Sequence, residues 1–223
     1  MRKTILDDGY HNYLVKDVRL VGDPGIPMLA DMHNTMVPKA IIPFEKARTK
    51  GAKGKYIHFY MHDKYFAPIL TATNKYLSLL QEADGVITPD CTMLVGQAKC
   101  LLQTSTYFNR AVGTYLQKQG IPVIANIRWS DAESFPYCFL GVPKHSIVAI
   151  STHGCIRTQQ DRILFKEGIE AMLIELEPTD VIVHGYMPNE IFEPFPGNVA
   201  FHRYPSLFEE THKQERKSDG TRV

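Results

Sequence analysis

Ile147-Val-Ala-Ile-Ser-Thr-His-Gly-Cys155 and Asp180-Val-Ile-Val-His-Gly185 are built alike: Val and Ile in succession, then an abrupt polar ending that carries a histidine and a glycine. Upstream, Gly85-Val-Ile-Thr-Pro-Asp90 and Ile121-Pro-Val-Ile-Ala-Asn-Ile-Arg-Trp129 share the pattern. A short, continuous Val/Ile run suits a strand covered on both faces, and the spacing between runs leaves room for a helix. The pattern therefore predicts parallel strands in βα units. In such folds a ligand lies beyond the carboxyl ends of the strands, where the polar endings of successive runs converge. That places Asp90, Asn126, Arg128, His153 and His184 around one site.

The remaining chain fits the same frame. Lys55-Tyr-Ile-His-Phe-Tyr-Met-His-Asp63 alternates and reads as the first core strand, ending at His62-Asp63, while Asn198 to Pro205 reads as the last. Helical spacing runs from Tyr76 to Glu82, from Thr92 to Gln119 with a break near Ser105, and from Gln159 to Leu176. The third helix carries Ile163, Phe165, Ile169 and Met172 or Leu173 on its apolar face. Gly120 is placed to terminate the second helix and Pro178 stops the third. Lys46 to Lys55 reads as a basic, glycine-containing loop. The expected organisation is a single α/β domain over residues 1–223: an irregular arm to residue 40, a core over 41–206 and a charged tail over 207–223. The expected architecture is a complete or incomplete (β/α) barrel, with a doubly wound sheet as the alternative.

Composition sets the class. At 223 residues and 44% apolar content the chain can bury one sizeable core, and a net charge of +1 gives no global attraction to nucleic acid or membrane. No apolar stretch is long enough to span a bilayer, and the first residues lack the apolar core of a signal peptide. The four cysteines are scattered without a Cys-x-x-Cys pair. These features predict a cytoplasmic protein with reduced thiols and no membrane partner; no cofactor is indicated.

Each candidate side chain has a chemical and a structural reading. Asp90 suits a general acid or base, or a helix N-cap. Arg128 suits a clamp for carboxylate or phosphate with Trp129 as a planar wall, or an Arg128–Asp131 ion pair over a core indole. In Ser151-Thr-His-Gly-Cys155, His153 suits proton transfer, and amides exposed after Gly154 at a helix start suit an anion. Ser151, Thr152, Asn126 and His184 complete the expected ligand-binding set. Cys155 is a nucleophile only if its thiol is acidified there. His62, Asp63, Asp90, His153 and His184 are of metal-ligating types, yet none has the local spacing of a metal motif, and no metal ligand is assigned.

Taken together, Ile42-Pro-Phe, Gly85-Val-Ile-Thr-Pro-Asp90, Asn109-Arg-Ala-Val-Gly113, Asn126-Ile-Arg-Trp-Ser-Asp131, Cys138-Phe-Leu-Gly-Val-Pro143, Ala149-Ile-Ser-Thr-His-Gly-Cys155 and Val183-His-Gly185 resemble domain-of-unknown-function family 4417. Members occur on phages and other mobile elements, and the family brings no settled activity with it. The order of strand ends also looks like part of the transglycosylase barrels that exchange a guanine-type base, although their Asp-Ser-Gly-Gly-Phe motif and zinc-binding cysteines are missing. The resemblance and the polar strand ends together imply an enzyme acting on a nucleotide, nucleoside or nucleic-acid base. Two alternatives stand beside it: a non-catalytic protein that sequesters a ligand or contacts a host protein, and a metal-dependent hydrolase.

Overall fold

The structure, a computed structural model, describes residues 11–31, 35–195, 197, 199–209 and 211. Seven strands form one all-parallel sheet: β3 (Ile41–Pro43), β4 (Tyr56–His58), β5 (Gly85–Ile87), β6 (Val123–Asn126), β7 (Ile147–Ser151), β8 (Asp180–His184) and β9 (Ala200–Tyr204). Their order across the sheet is their order along the chain. That order decides the architecture. Parallel crossovers are right-handed, so strands added always on the same side send every connection over the same face and the sheet curls. A doubly wound sheet would need a reversal of order, and there is none. The result is a half-barrel, and the Tyr204 hydroxyl of the last strand donates to the Pro38 carbonyl just before the first, bridging its open side.

Alternation along the strands divides two apolar layers. Val86, Val123, Val148, Ile150, Val181 and Val183 face the helices in the main core, whereas Tyr56, Tyr60, Ile87, Ile124, Ala149 and Ile182 pack together inside the curl. The principal helices on the outer face are α4 (Lys99–Lys118) and α6 (Gln159–Leu176), joined by the shorter α1 (Phe44–Lys50), α2 (Asp63–Thr71), α3 (Leu77–Glu82), α5 (Phe135–Cys138) and α7 (Asn189–Phe192). Gly120, at φ 76°, closes α4 in the left-handed conformation that the sequence assigned to it, with Ile121 N–H returning to the Leu116 carbonyl.

Four local expectations are corrected. Lys46–Lys50 is helical, within α1, because Phe44 and Ala47 bury one face of that turn. A strand absent from the expectation, β3, precedes β4; it ends at Pro43, which an edge position tolerates because one side of its backbone has no ladder to lose. Helix α4 starts at Lys99 rather than Thr92 and runs unbroken through Ser105. The Thr92 amide and hydroxyl are both held by the Asp63 carboxylate, at 3.0 and 2.6 Å, which keeps the start of that segment out of a helix. Ile163 on α6 is exposed, and Phe165, Gly168, Ile169, Met172 and Leu176 form the buried face.

Before the sheet, β1 (Leu20–Val21) and β2 (Ile26–Pro27) make a small antiparallel hairpin. Leu14, Ile26 and Leu29 are buried. Residues 1–10 and 32–34 of the expected arm, 196 and 198 of the expected core, and 210 and 212–223 of the expected tail lie outside the described residues.

Candidate functional site

The carboxyl ends of β4 to β8 open on one mouth, and its floor is set by helix α4. Asn109, with an Arg neighbour, bridges two strands: its amide donates to the Pro89 carbonyl at 2.7 Å and the Asn126 carbonyl at 3.0 Å, while its Oδ1 accepts from the Thr88 hydroxyl at 2.8 Å. Thr88 Oγ1 in turn accepts the Asn126 N–H at 2.8 Å. Arg110, almost wholly buried, donates to the carbonyls of Asn126, Cys138 and Leu140 at 3.0, 2.9 and 3.1 Å and to Asn109 Oδ1. Burial pulls its guanidinium down to about 10. A fixed fork of donors suits this task, because carbonyls at the end of β6 and at the end of α5 must be satisfied from one direction.

On that floor stands a polar cluster. Asn126 Nδ2 donates to Asp90 Oδ1 at 2.8 Å, and Arg128 Nη1 reaches both Asp90 Oδ2 at 3.4 Å and Cys155 Sγ at 3.0 Å. Burial raises the Asp90 carboxyl above its ordinary value, with Arg128 and the Asn126 hydrogen bond pulling the other way. Burial also raises the Cys155 thiol, again against the pull of Arg128. The helix after Cys155 does not start at Gly154. It begins four residues beyond Cys155, at Gln159, and opens on a capping box in which Thr158 Oγ1 accepts from Asp161 N and Asp161 Oδ2 accepts from Thr158 N.

Beside the cluster the imidazoles and a phenol pack in series. The Tyr60 ring stacks on His184 at 4.4 Å and 14°, His58 lies 4.9 Å from His184, and His153 meets His184 edge-on at 6.1 Å. Ser151 Oγ is 3.0 Å from His184 Nδ1 and accepts the His153 N–H at 3.2 Å. Burial, helped by His153, takes His184 down to about 3, and burial with His184 beside it takes His58 well below the ordinary imidazole value. Both rings are neutral at physiological pH. His153 is exposed.

The mouth thus brings together Asp90, Asn126, Arg128, Ser151, His153 and His184, with Gly154 and Cys155 on the wall of a cleft of about 300 Å³ that Arg128 also lines. Two residues point their polar atoms elsewhere. Trp129 edges the cleft, but its Nε1–H donates to the Leu164 carbonyl at 3.3 Å and its ring packs on α6. Thr152 gives its hydroxyl to the Tyr186 carbonyl at 2.6 Å. Asp131 is not an ion-pair partner of Arg128 but caps a 3₁₀ turn through Glu133 N–H, and Asp90 caps no helix, since Ala98 precedes α4. His62 caps α2 and Asp63 holds Thr92. Among the described residues, no three His, Cys, Asp or Glu side chains are grouped so as to hold a metal ion. Tyr60 and His58 were not singled out by sequence, although alternation across residues 56, 58 and 60 carried the signal that they share a face.

The DUF4417 family, a domain of unknown function, matches residues 19–205. The chain belongs to the DUF4417 family. Among its relatives, the Gene 1 protein of Mycobacterium phage D29 is 27% identical over 154 residues, which cover 68% of this chain and 57% of the relative. The Gene 1 protein of Mycobacterium phage L5 is 28% identical over 134 residues, covering 60% and 58% respectively. The matched part of this DUF4417 chain therefore spans less than two thirds of either relative's length. No solved structure matches it. Among the described residues no helix is long and apolar enough to cross a membrane.

Proposed function

We propose that the mouth of the half-barrel binds a nucleotide-type small molecule and that Asp90 and His153 move protons on it. The observation that carries this reading is the Arg128 guanidinium, divided between a carboxylate oxygen at 3.4 Å and a sulfur at 3.0 Å on the wall of an open cleft. Neither partner saturates its donors, so an incoming phosphate or carboxylate finds a cation able to turn toward it. As Arg128 turns, Asp90 loses its counter-charge and gains proton affinity. A carboxyl already raised by burial then becomes a proton donor near the ligand, and His153, at the rim, accepts or relays that proton. The phage relatives are compatible with an activity on nucleotides but name none.

The test is mutational. Once turnover of a nucleotide is found, His153→Gln and His153→Ala are each expected to lower it by roughly 10²-fold or more. Full turnover in both variants would take His153 out of the chemistry.

A second reading has its own observation. Leu94 and Val95, 59% and 61% exposed, form an apolar rim on the same cleft, which favours a binding protein that contacts a host protein there. It predicts that Leu94→Ser with Val95→Ser abolishes capture of the host protein by a chain that stays folded.

A further inference from the structure

Two buried polar atoms in the mouth meet no hydrogen-bond partner among the described residues: the Tyr60 hydroxyl and Asn126 Oδ1. Such groups are rare, and they concentrate where a function requires them. Neither is free to relieve itself. Turning the Asn126 amide over would set its oxygen against Asp90 Oδ1, exchanging a 2.8 Å hydrogen bond for a contact between two acceptors, so Oδ1 is fixed as the end without a partner. The Tyr60 ring is held in a triangle of rings, stacked on His184 at 4.4 Å and 5.1 Å from His58, which itself lies 4.9 Å from His184, and its hydroxyl lies within electrostatic reach of Asp90, Cys155 and Arg128.

The unmet demand has a definite sign. Asn126 Oδ1 accepts only, Asp90 Oδ1 keeps one accepting lone pair beyond its Asn126 contact even when a proton taken up on binding sits on Oδ2, and Tyr60 offers one O–H. A bare phosphate or carboxylate offers only acceptors, which suits Arg128 and nothing else in this set. The complement of two acceptors and one donor is two N–H groups beside a carbonyl. An adenine edge, one donor beside one acceptor, leaves an acceptor unmet.

We propose that Tyr60, Asn126 and Asp90 form an inner reading edge that selects a planar amino-lactam head of the guanine type. This rests on the reading that the mouth holds a nucleotide-type ligand. Arg128 lines the outer cleft and, with Asn126, closes off a void of about 10 Å³ behind it, which has no room for a ring while the guanidinium stays in place. When the ligand's anionic group draws the guanidinium outward into the cleft, the head gains access to the inner edge.

Isothermal titration calorimetry with guanosine 5′-monophosphate, inosine 5′-monophosphate and ribose 5-phosphate separates the parts, because inosine monophosphate lacks one amino donor and ribose phosphate lacks the head. The guanine nucleotide is expected to bind about tenfold or more tightly than the inosine nucleotide. In Tyr60→Phe that nucleotide should weaken about tenfold, ribose 5-phosphate should be unaffected, and the melting temperature should hold or rise because an unpaired buried hydroxyl is removed. Equal binding of all three ligands, lost together in Arg128→Ala, overturns the reading edge and leaves the anion site standing. A Tyr60→Phe protein that melts earlier with unchanged discrimination also overturns it. Failure of all three to bind the wild-type protein overturns both readings.

Discussion

Arg128 faces two acceptors of unequal kind, and the consequences start with protons. Ligand anion and Asp90 carboxylate compete for one guanidinium, so occupying the cleft places negative charge beside a carboxyl whose neutral form burial already favours. Binding is therefore expected to take up protons at Asp90. Titrations in buffers of different ionisation enthalpy measure this: uptake that disappears in Asp90→Asn supports the shared cation, and uptake unchanged in that variant contradicts it. At this scale the sequence was informative where a residue ends a strand, since Asp90, Asn126, Arg128, His153 and His184 follow from position alone. It was silent on where a side chain turns next. Trp129 follows Arg128 directly, yet its indole goes to α6, and no local feature of the sequence announces the Leu164 carbonyl that receives it.

At the scale of elements, the site is only as well placed as the contacts of α4 and α6 with the strands. Arg110 ties the Asn126 carbonyl at the end of β6 to the Cys138 and Leu140 carbonyls at the end of α5, so Arg110→Met leaves the last two buried without their donor while Asn126 keeps Asn109. A loss of about 3 kcal/mol or more is expected, read by urea denaturation, because each orphaned group costs about 1–3 kcal/mol. A change within ±0.5 kcal/mol would mean that the network does not hold the strand ends. Gly168 makes the corresponding point for α6. A Cβ there would lie 2.1 Å from the Trp129 indole, so Gly168→Ala, favourable in an isolated helix, should destabilise the protein by displacing that ring. Helix lengths were legible where periodicity and caps agreed, as in Gln159 to Leu176. They were not where a distant carboxylate intervened: Asp63 holds Thr92 out of the helix that local propensity gives it. β3 escaped for the related reason that three residues ending in proline carry too little period to read.

For the whole molecule, sequential strand order and curl gather buried imidazoles at one end, and this sets the response to acid. His184 titrates at about 3 in the fold against an ordinary 6.5, and His58 is lowered in the same direction. A group whose folded value is lowered binds its proton in the unfolded chain first. Stability should therefore be insensitive to these two residues above about pH 6.5 and fall below it, by about 1.4 kcal/mol per pH unit for each imidazole. His184→Gln should flatten the acid limb of a melting-temperature profile; a limb of unchanged slope would contradict the assignment. Fold class was visible in the sequence because buried parallel strands announce themselves as Val/Ile runs. The barrel expected from the sequence agrees with the half-barrel observed, although the runs themselves are common to a doubly wound sheet, which differs in which edge each new strand joins.

The central claim, that the strand-end mouth takes an anionic nucleotide-type ligand through Arg128, is tested most directly by titrating guanosine 5′-monophosphate into the wild-type and Arg128→Ala proteins. The account predicts binding to wild type, and a loss of about 1.5–3 kcal/mol in a variant that remains folded. Equal affinity in the two proteins, or no binding to the wild type, would contradict it.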